Sequence, residues 1–177
     1  IVEHNDDSGS VDEQAYIEKL TSDVRVVSIV HTSPVTGMTV DLEKITKEVR
    51  NVTPDCIIIV DGIQHSSHGA IDVQKYDIDG YVVSPYKMFS RHGYGVAWAS
   101  DRLCALNKEQ LADGPFQNWE LGTRDAGSYA TFSDVVDYLD WLGSNFTESE
   151  NTRERLEASS IAIKSHEQEL VDLVING

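Results

Sequence analysis

The sequence predicts an α/β domain whose mixed, mostly parallel sheet is covered by helices on both faces. Two observations lead to this prediction. Short runs of aliphatic residues recur along the chain, and each run is nearly continuously apolar, which is typical of strands buried on both faces. Segments of helical or loop character separate these runs, as crossovers between parallel strands require. In such sheets, functional residues gather at the carboxyl ends of the strands.

The first predicted strand is the β-branched run Val24–Val30, which ends in a turn rich in Thr, Pro and Gly. A helix is expected next, over Asp41–Arg50, because Leu42, Ile45 and Val49 recur at helical spacing. Acidic residues lie early and basic residues late in this segment, as the helix dipole favours.

Three further strands are predicted in the middle of the chain. The run Cys56–Val60 is purely apolar and is closed by Asp61 and Gly62. The other two strands are expected at Gly80–Val83 and Gly95–Ala99. Each strand is short, and each is followed by polar or glycine-rich sequence, which is typical of strand ends in α/β domains.

The last fifty residues are predicted to be helical. A first helix follows Ala130, and Gly143 is its expected stop. One face of this helix carries Phe132, Val135, Val136, Leu139 and Leu142. After an acid-rich stretch, an amphipathic helix is expected over Thr152–Ile175, with Leu156, Ile163, Leu170 and Val174 on its apolar face.

The charge of the chain limits its partners. Its 14 Lys and Arg stand against 30 Asp and Glu, which gives a formal net charge of −16. Nonspecific nucleic-acid binding depends on basic side chains that neutralise phosphates, so a nucleic-acid partner is not expected. An anionic membrane surface is disfavoured for the same reason. The longest apolar runs are also far shorter than the roughly 18 to 20 residues of a membrane helix.

Two cysteines, Cys56 and Cys104, form no metal-binding or redox motif. They are interpreted as small apolar residues in a reducing compartment. The first residues lack the basic start and apolar centre of a signal peptide. The predicted location is therefore the cytoplasm, and no metal is expected.

The segment from Val60 to Gly95 contains the candidate chemistry. Asp61 follows four aliphatic residues, so its carboxylate is expected at the end of a strand, where it needs a cationic or hydrogen-bonding partner. Lys87 follows the end of the next strand. An acid and a lysine so placed can hold a cationic heteroaromatic ring while the lysine forms an imine with its aldehyde. Spacing alone also allows Asp61 to cap a turn and Lys87 to be a surface charge.

The longer pattern resembles the class V aminotransferase family of pyridoxal-phosphate enzymes, which includes the cysteine desulfurases. The matching motifs are D-G-x-Q-x-x-x-H at residues 61–68, S-x-x-K at 84–87, G-x-G at 93–95, the strand-end loop at 31–37 and E-x-G-T at 120–123. Their order and spacing both fit the family.

This resemblance implies a role for each matched residue. Lys87 would form the Schiff base, a lysine aldimine, and Asp61 would keep the pyridine nitrogen protonated so that the ring withdraws electrons. Gln64 would donate a hydrogen bond to the phenolic oxygen of the cofactor. Ser84 would bind the phosphate, and Tyr86 would donate to it where the desulfurases carry a histidine.

The histidines divide into two groups. His68 matches the closing histidine of the first motif, and the resemblance implies that it contributes to the cofactor site. His31, His65 and His92 are interpreted as structural histidines, either buried with a partner or exposed.

The chain also departs from the family pattern. Pro34 stands where the desulfurases carry an asparagine that reaches cofactor and substrate. Neither Cys56 nor Cys104 matches their sulfur-accepting cysteine. The loop after Leu103 lacks the glycine-rich segment that helps to close the neighbouring subunit's site. Substrate preference is therefore expected to differ from that of the desulfurases.

The resemblance covers residues 12–142, and the last helix resembles the one that leads into the family's small domain. We expect residues 1–143 to form part of a cofactor-binding large domain, and residues 144–177 to form a linker and helix leading toward a small domain. The family's N-terminal portion and small domain are not in the sequence, so we expect a fragment of a homodimeric enzyme.

The leading hypothesis is a pyridoxal-phosphate enzyme that acts on an amino-acid substrate by transamination, β-elimination or sulfur removal. The first alternative is a non-catalytic α/β module that keeps the fold as a binding or regulatory domain. The second is an acidic α/β domain that only mimics the motif.

Overall fold

A computed structural model describes residues 1–109, 112, 119 and 125–177. The chain divides into two compact units. The first, called the sheet unit, comprises Ile1–Gln64, Asp72–Val83 and Gly95–Asp125. The second, called the helical unit, comprises His65–Ile71, Ser84–Tyr94 and Ala126–Gly177.

The part of the sheet unit that the structure describes contains four strands in the spatial order β1-β2-β3-β4. The strands are β1 (Val26–Val30), β2 (Ile57–Asp61), β3 (Gly80–Val83) and β4 (Val96–Ala99). The first three are parallel and β4 runs antiparallel to β3. The predicted mixed, mostly parallel sheet is confirmed, and each strand lies within two residues of its predicted bounds.

The core of the sheet unit includes side chains of β1, β2 and β3. Ile29, Ile58 and Val60 are fully buried, and Tyr81 is 3% exposed. The burial of side chains alternates along β1, where Val26 and Val30 are exposed and Ile29 is buried. Because successive side chains of a strand point to opposite faces, one face of β1 packs into the core and the other is open to solvent.

In its described residues, the sheet unit has three helices: α1 (Glu13–Lys19), α2 (Leu42–Val52) and the short α3 (Asp101–Cys104). Helix α2 begins after Asp41, whose side chain accepts a hydrogen bond from Lys44 N at 3.1 Å. Its predicted apolar face is confirmed, since Leu42, Ile45 and Val49 are all buried. Helix α1 was not predicted, because it is short and buries none of its residues.

A buried carboxylate ties the sheet unit together at the start of β3. Asp79 is 1% exposed. Its Oδ2 accepts from Arg50 Nη2 at 2.9 Å and from Ile58 N at 2.8 Å. Its Oδ1 accepts from Arg102 Nε at 2.7 Å and from Ser100 Oγ at 3.1 Å. Burial alone raises the pKa of Asp79, but these four donors outweigh it and hold the pKa below its usual range.

The helical unit contains two longer helices, α4 (Ala126–Gly143) and α5 (Thr152–Asn176). Helix α4 ends at Gly143 as predicted, and the glycine has a further role. A Cβ at this position would overlap the backbone carbonyl of Arg155 in α5. Beside this contact, an ion pair between Arg155 Nη1 and Asp140 Oδ2, 3.2 Å apart, joins α4 and α5. The absence of a side chain therefore lets the two helices approach closely.

The predicted apolar face of α5 is only partly buried. Leu156 and Ile163 are half-buried, but Leu170 is 48% exposed and Val174 is 85% exposed. Its last turns therefore present apolar side chains outward. In the described part of the chain, no helix combines the length and the apolar character that crossing a membrane demands.

Candidate functional site

The sheet unit places the first motif at the carboxyl end of β2. Asp61 is the last residue of that strand and is half-buried. Its Oδ1 accepts a hydrogen bond from Ile63 N at 3.0 Å, so the carboxylate is oriented by the turn that follows it. Gln64, also half-buried, ends this part of the sheet unit. Among the described residues, no cationic side chain forms an ion pair with Asp61.

The backbone around Asp61 is held from both neighbouring strands. His31 N donates to the carbonyl of Asp61 at 2.9 Å, and Gly62 N donates to the carbonyl of Val82 at 3.0 Å. Strands β2 and β3 are parallel, with Asp61 in register with Val82. Their carboxyl ends therefore lie side by side at one edge of the sheet.

A buried aromatic cluster lies at the same edge. His31 is 5% exposed and Tyr81 is 3% exposed, and His31 Nδ1 shares a hydrogen bond of 2.8 Å with the Tyr81 hydroxyl. Tyr76 stacks on Tyr81, with ring centroids 6.4 Å apart, and meets His31 edge-on. Burial raises the pKa of Tyr81, and the neighbouring Tyr76 and Asp61 raise it further. This cluster was missed from the sequence, where only the histidine directly after an apolar run hinted at a buried polar group.

The helical unit contains the second motif. The chain passes directly from Val83, the last residue of β3, to Ser84 and then into a 3-10 turn at Pro85–Met88. Lys87 lies in this turn, is half-buried, and donates its backbone N–H to the carbonyl of Ser84 at 2.9 Å. Ser84 itself has extended backbone geometry.

Tyr86 and His92 form a stacked pair beside Lys87. Their ring centroids are 4.3 Å apart and their planes differ by 18°. The Lys87 ammonium lies 6.0 Å from the centroid of the Tyr86 ring. Tyr86 is 40% exposed, so its ring is held by the stack while part of it reaches solvent.

His68 lies one residue after a 3-10 turn at His65–Ser67 and also belongs to the helical unit. Its Nδ1 lies 2.8 Å from Glu167 Oε1 on α5, so this ring nitrogen is hydrogen-bonded to a carboxylate. His65 is half-buried, and burial lowers its pKa. Its ring packs so closely over Gly69 that a Cβ there would lie 2.5 Å from it. Its interpretation as a structural histidine agrees with this packing.

The predicted site residues therefore fall into two sets. Asp61 and Gln64 lie in the sheet unit, at and after the end of β2. Ser84, Tyr86 and Lys87 lie within four residues of one another in the helical unit, which also contains His68. The E-x-G-T segment at 120–123 lies outside the described residues.

The departures from the family pattern also have a place in the structure. Pro34 is exposed in the loop after β1. Cys56 is buried and Cys104 half-buried, and both thiols are free. Burial raises the pKa of the Cys56 thiol, which disfavours the reactive thiolate.

The chain matches the family model for aminotransferase class-V over residues 2–168. It is 34% identical over 96 residues to a cysteine desulfurase of Wigglesworthia glossinidia brevipalpis, a match covering 54% of this chain and 23% of the relative. It is 27% identical over 181 residues to a probable cysteine desulfurase of Haemophilus influenzae, covering 91% of this chain and 40% of the relative.

The fold has a counterpart among solved structures. The apo structure of a cysteine desulfurase from Thermococcus onnurineus NA1 superposes with a TM-score of 0.73 at 20% identity, covering 99% of this chain and 43% of that one. At this identity the likeness shows the fold, and it confirms the predicted fold class. The chain spans less than half the length of each of these relatives.

Proposed function

Because the chain belongs to the aminotransferase class-V family, we propose that the protein is a pyridoxal-phosphate-dependent enzyme that acts on an amino acid. The observation that carries the proposal is the burial and hydrogen bonding of the Asp61 carboxylate. This carboxylate is half-buried at the end of β2, is oriented by the N–H of Ile63, and has no cationic partner among the described residues. A carboxylate in that setting suits a protonated ring nitrogen.

The donors available in each unit fit the chemical groups of pyridoxal phosphate. The sheet unit offers a carboxylate for the ring nitrogen and, from Gln64, an amide for the phenolic oxygen. The helical unit offers an amine for the aldehyde, and the hydroxyls of Ser84 and Tyr86 for the phosphate. Each unit thus offers side chains whose chemistry suits some of the groups of the cofactor.

Two residues would do most of the chemical work. When bound, the cofactor withdraws electrons from the α-carbon of the substrate. Asp61 would hold the proton on the ring nitrogen that makes this withdrawal effective. Lys87, which is half-buried, would bind the cofactor covalently and then move a proton at the α-carbon.

The phosphate would be held by neutral donors. Ser84 directly follows β3, and the stack on His92 restrains the Tyr86 ring so that its hydroxyl keeps a limited range of directions. His68 would contribute through its ring, oriented by Glu167. Neutral donors suffice in a chain of net charge −16, because distant carboxylates are screened over about 10 Å at 0.1 M salt.

The names of the relatives point to sulfur removal from cysteine, whereas Pro34 and the two unmatched cysteines depart from the desulfurase pattern, so transamination and β-elimination stay as alternatives. We further propose that the protein works as a homodimer in the cytoplasm. The two free thiols support a reducing compartment. The division into a partial large domain at 1–143 and a leading helix at 144–177 stays a prediction.

Borohydride trapping tests the proposal. The full-length protein is incubated with pyridoxal phosphate, reduced with borohydride, digested, and analysed by mass spectrometry. The reduced cofactor is expected on the peptide that contains Lys87. Lys87→Ala should abolish the adduct, whereas Lys47→Ala, a change at an exposed lysine of α2, should leave it intact. No adduct in the wild type, or an adduct that survives Lys87→Ala, would favour the non-catalytic module instead.

A further inference from the structure

The hydrogen bond between His31 and Tyr81 crosses the strand that carries Asp61. His31 directly follows β1 and Tyr81 lies in β3, and these two strands flank β2. The bond joins residues that are fifty positions apart in sequence, and both side chains are almost fully buried. Burying two polar side chains here carries a desolvation free energy that an apolar pair would avoid. We therefore expect a function for this pair in the residues that it crosses.

The register shows what the bond passes over. Val60 pairs with both Ile29 and Tyr81, and Asp61 pairs with Val30. Side chains alternate along a strand, so the face that carries Val60 carries Gly62 next and, on the flanking strand, His31. The hydrogen bond between His31 and Tyr81, called the bridge below, therefore spans the backbone at Gly62, one residue after Asp61.

Gly62 permits this crossing because it has no side chain. A Cβ there would overlap the ring and the hydroxyl of Tyr81. The Tyr81 side chain thus lies directly against the backbone of the turn that begins at Asp61. Tyr76 closes the cluster from the side, stacked on Tyr81 and edge-on to His31.

We propose that His31 and Tyr81 are positioning residues for Asp61, and that their hydrogen bond holds the Asp61–Gly62 backbone so that the carboxylate keeps one direction. The same backbone is held by His31 N on one side and by Val82 O on the other. The carboxylate itself is fixed through Ile63 N. The bridge crosses the chain where these three hydrogen bonds lie, and it keeps their donors and acceptors aligned. The role of Asp61 toward a cofactor rests on the proposed function, but its positioning does not.

Amide hydrogen exchange in the cofactor-free, full-length protein tests the positioning directly. The amide of Ile63 donates to the Asp61 carboxylate and therefore reports its direction. Tyr81→Phe keeps the ring and removes the hydroxyl. It should speed exchange at Gly62 and Ile63 about five- to tenfold, as the loss of one net hydrogen bond predicts. Tyr76→Phe is the matched control, because it removes a hydroxyl from the same cluster and leaves the His31–Tyr81 bond in place.

A second pair of variants covers the case in which Tyr81→Phe does not fold. His31→Leu removes the bond and should give the same local increase in exchange. His31→Asn can offer a polar atom near the position of Nδ1 and should restore protection. Unchanged exchange at Gly62 and Ile63 in both Tyr81→Phe and His31→Leu would overturn the inference. So would an equal increase at the Ile58 amide near the start of β2, which would indicate general loosening of the sheet.

Kinetics separate this inference from the proposed function. If the wild type carries pyridoxal phosphate on Lys87, Tyr81→Phe should lower kcat about tenfold and leave KM for the amino acid within about twofold, because Asp61 acts on the ring. Wild-type kcat in Tyr81→Phe would overturn the inference alone. A wild type that never binds the cofactor would refute the proposed function, and the exchange experiment would still decide whether Asp61 is positioned by the bridge.

Discussion

Replacing Asp79 with asparagine is expected to destabilise the sheet unit strongly. The carboxylate accepts two hydrogen bonds at each oxygen, and it is 1% exposed. Asparagine keeps the shape but turns an amide NH₂ group toward two of these donors and removes the negative charge. Arg50, whose side chain is 12% exposed, then loses its buried partner.

The size of the effect follows from the exposure of each partner. The buried bond from Arg50 is charge-assisted and contributes about 2 kcal/mol, and the bond from Ile58 N contributes about 1 kcal/mol. Arg102 is 41% exposed, so solvent screening limits its share to about 0.5 kcal/mol. The free energy of unfolding should therefore fall by about 3.5 kcal/mol, within the range for breaking a buried ion pair.

Urea unfolding followed by circular dichroism measures this loss. With a slope of about 2 kcal/mol per molar, the midpoint should fall by about 1.8 M. Asp77→Asn is the matched control, because the Asp77 side chain is 72% exposed and lies 3.4 Å from Arg50. Asparagine also tolerates the positive φ of 46° at that position. The reasoning fails if Asp79→Asn unfolds within about 0.5 kcal/mol of wild type, a typical surface effect, or if Asp77→Asn costs as much.

The pKa of Asp79 is held below its usual range in the folded protein. The ionised carboxylate therefore stabilises the fold above the unfolded-state pKa of about 3.9, and this contribution is lost as the pH falls through the folded-state pKa. The free energy of unfolding, measured from pH 6 to pH 2, should show this loss in wild type and not in Asp79→Asn. Gly143→Ala should lower the free energy of unfolding by about 2 kcal/mol, because the new Cβ would overlap the Arg155 carbonyl, and a thermal transition at the wild-type temperature would contradict this. Asp61→Ala should keep the borohydride adduct on Lys87 but lower turnover about a hundredfold, and unchanged turnover would contradict the role given to Asp61.

The strands could be predicted because each is a local apolar run. The segments around Ile29, Ile58 and Tyr81 are short, β-branched or aromatic, and bounded by polar turns, so composition alone locates them. Helix α2 was predictable for a similar reason, since its buried face repeats at helical spacing and Asp41 marks its start. By contrast, α1 buries nothing and rests on the cap at Asp12, a weak signal in the sequence.

The contacts that hold the candidate site could not be predicted, because they join distant parts of the chain. Asp79 directly precedes β3, but its partners Arg50 and Arg102 lie 29 and 23 residues away in sequence. The His31–Tyr81 bond spans fifty residues. Gly143 was predicted as a helix stop, but its close approach to α5 depends on how two helices pack. Sequence patterns specify elements, whereas such pairings follow only from the tertiary fold.

Two acids in the sheet unit show how the same side chain serves different ends. Asp79 lies at the start of β3 and is surrounded by two arginines, a hydroxyl and a backbone N–H. Asp61 lies at the end of β2, where the described contact of its carboxylate is the N–H of Ile63. A carboxylate with all its acceptor positions filled stabilises the fold, whereas one that is oriented but not neutralised can still accept a cation. The bridge from His31 to Tyr81 fits this difference, since a carboxylate without an arginine to fix it needs its backbone held by other means.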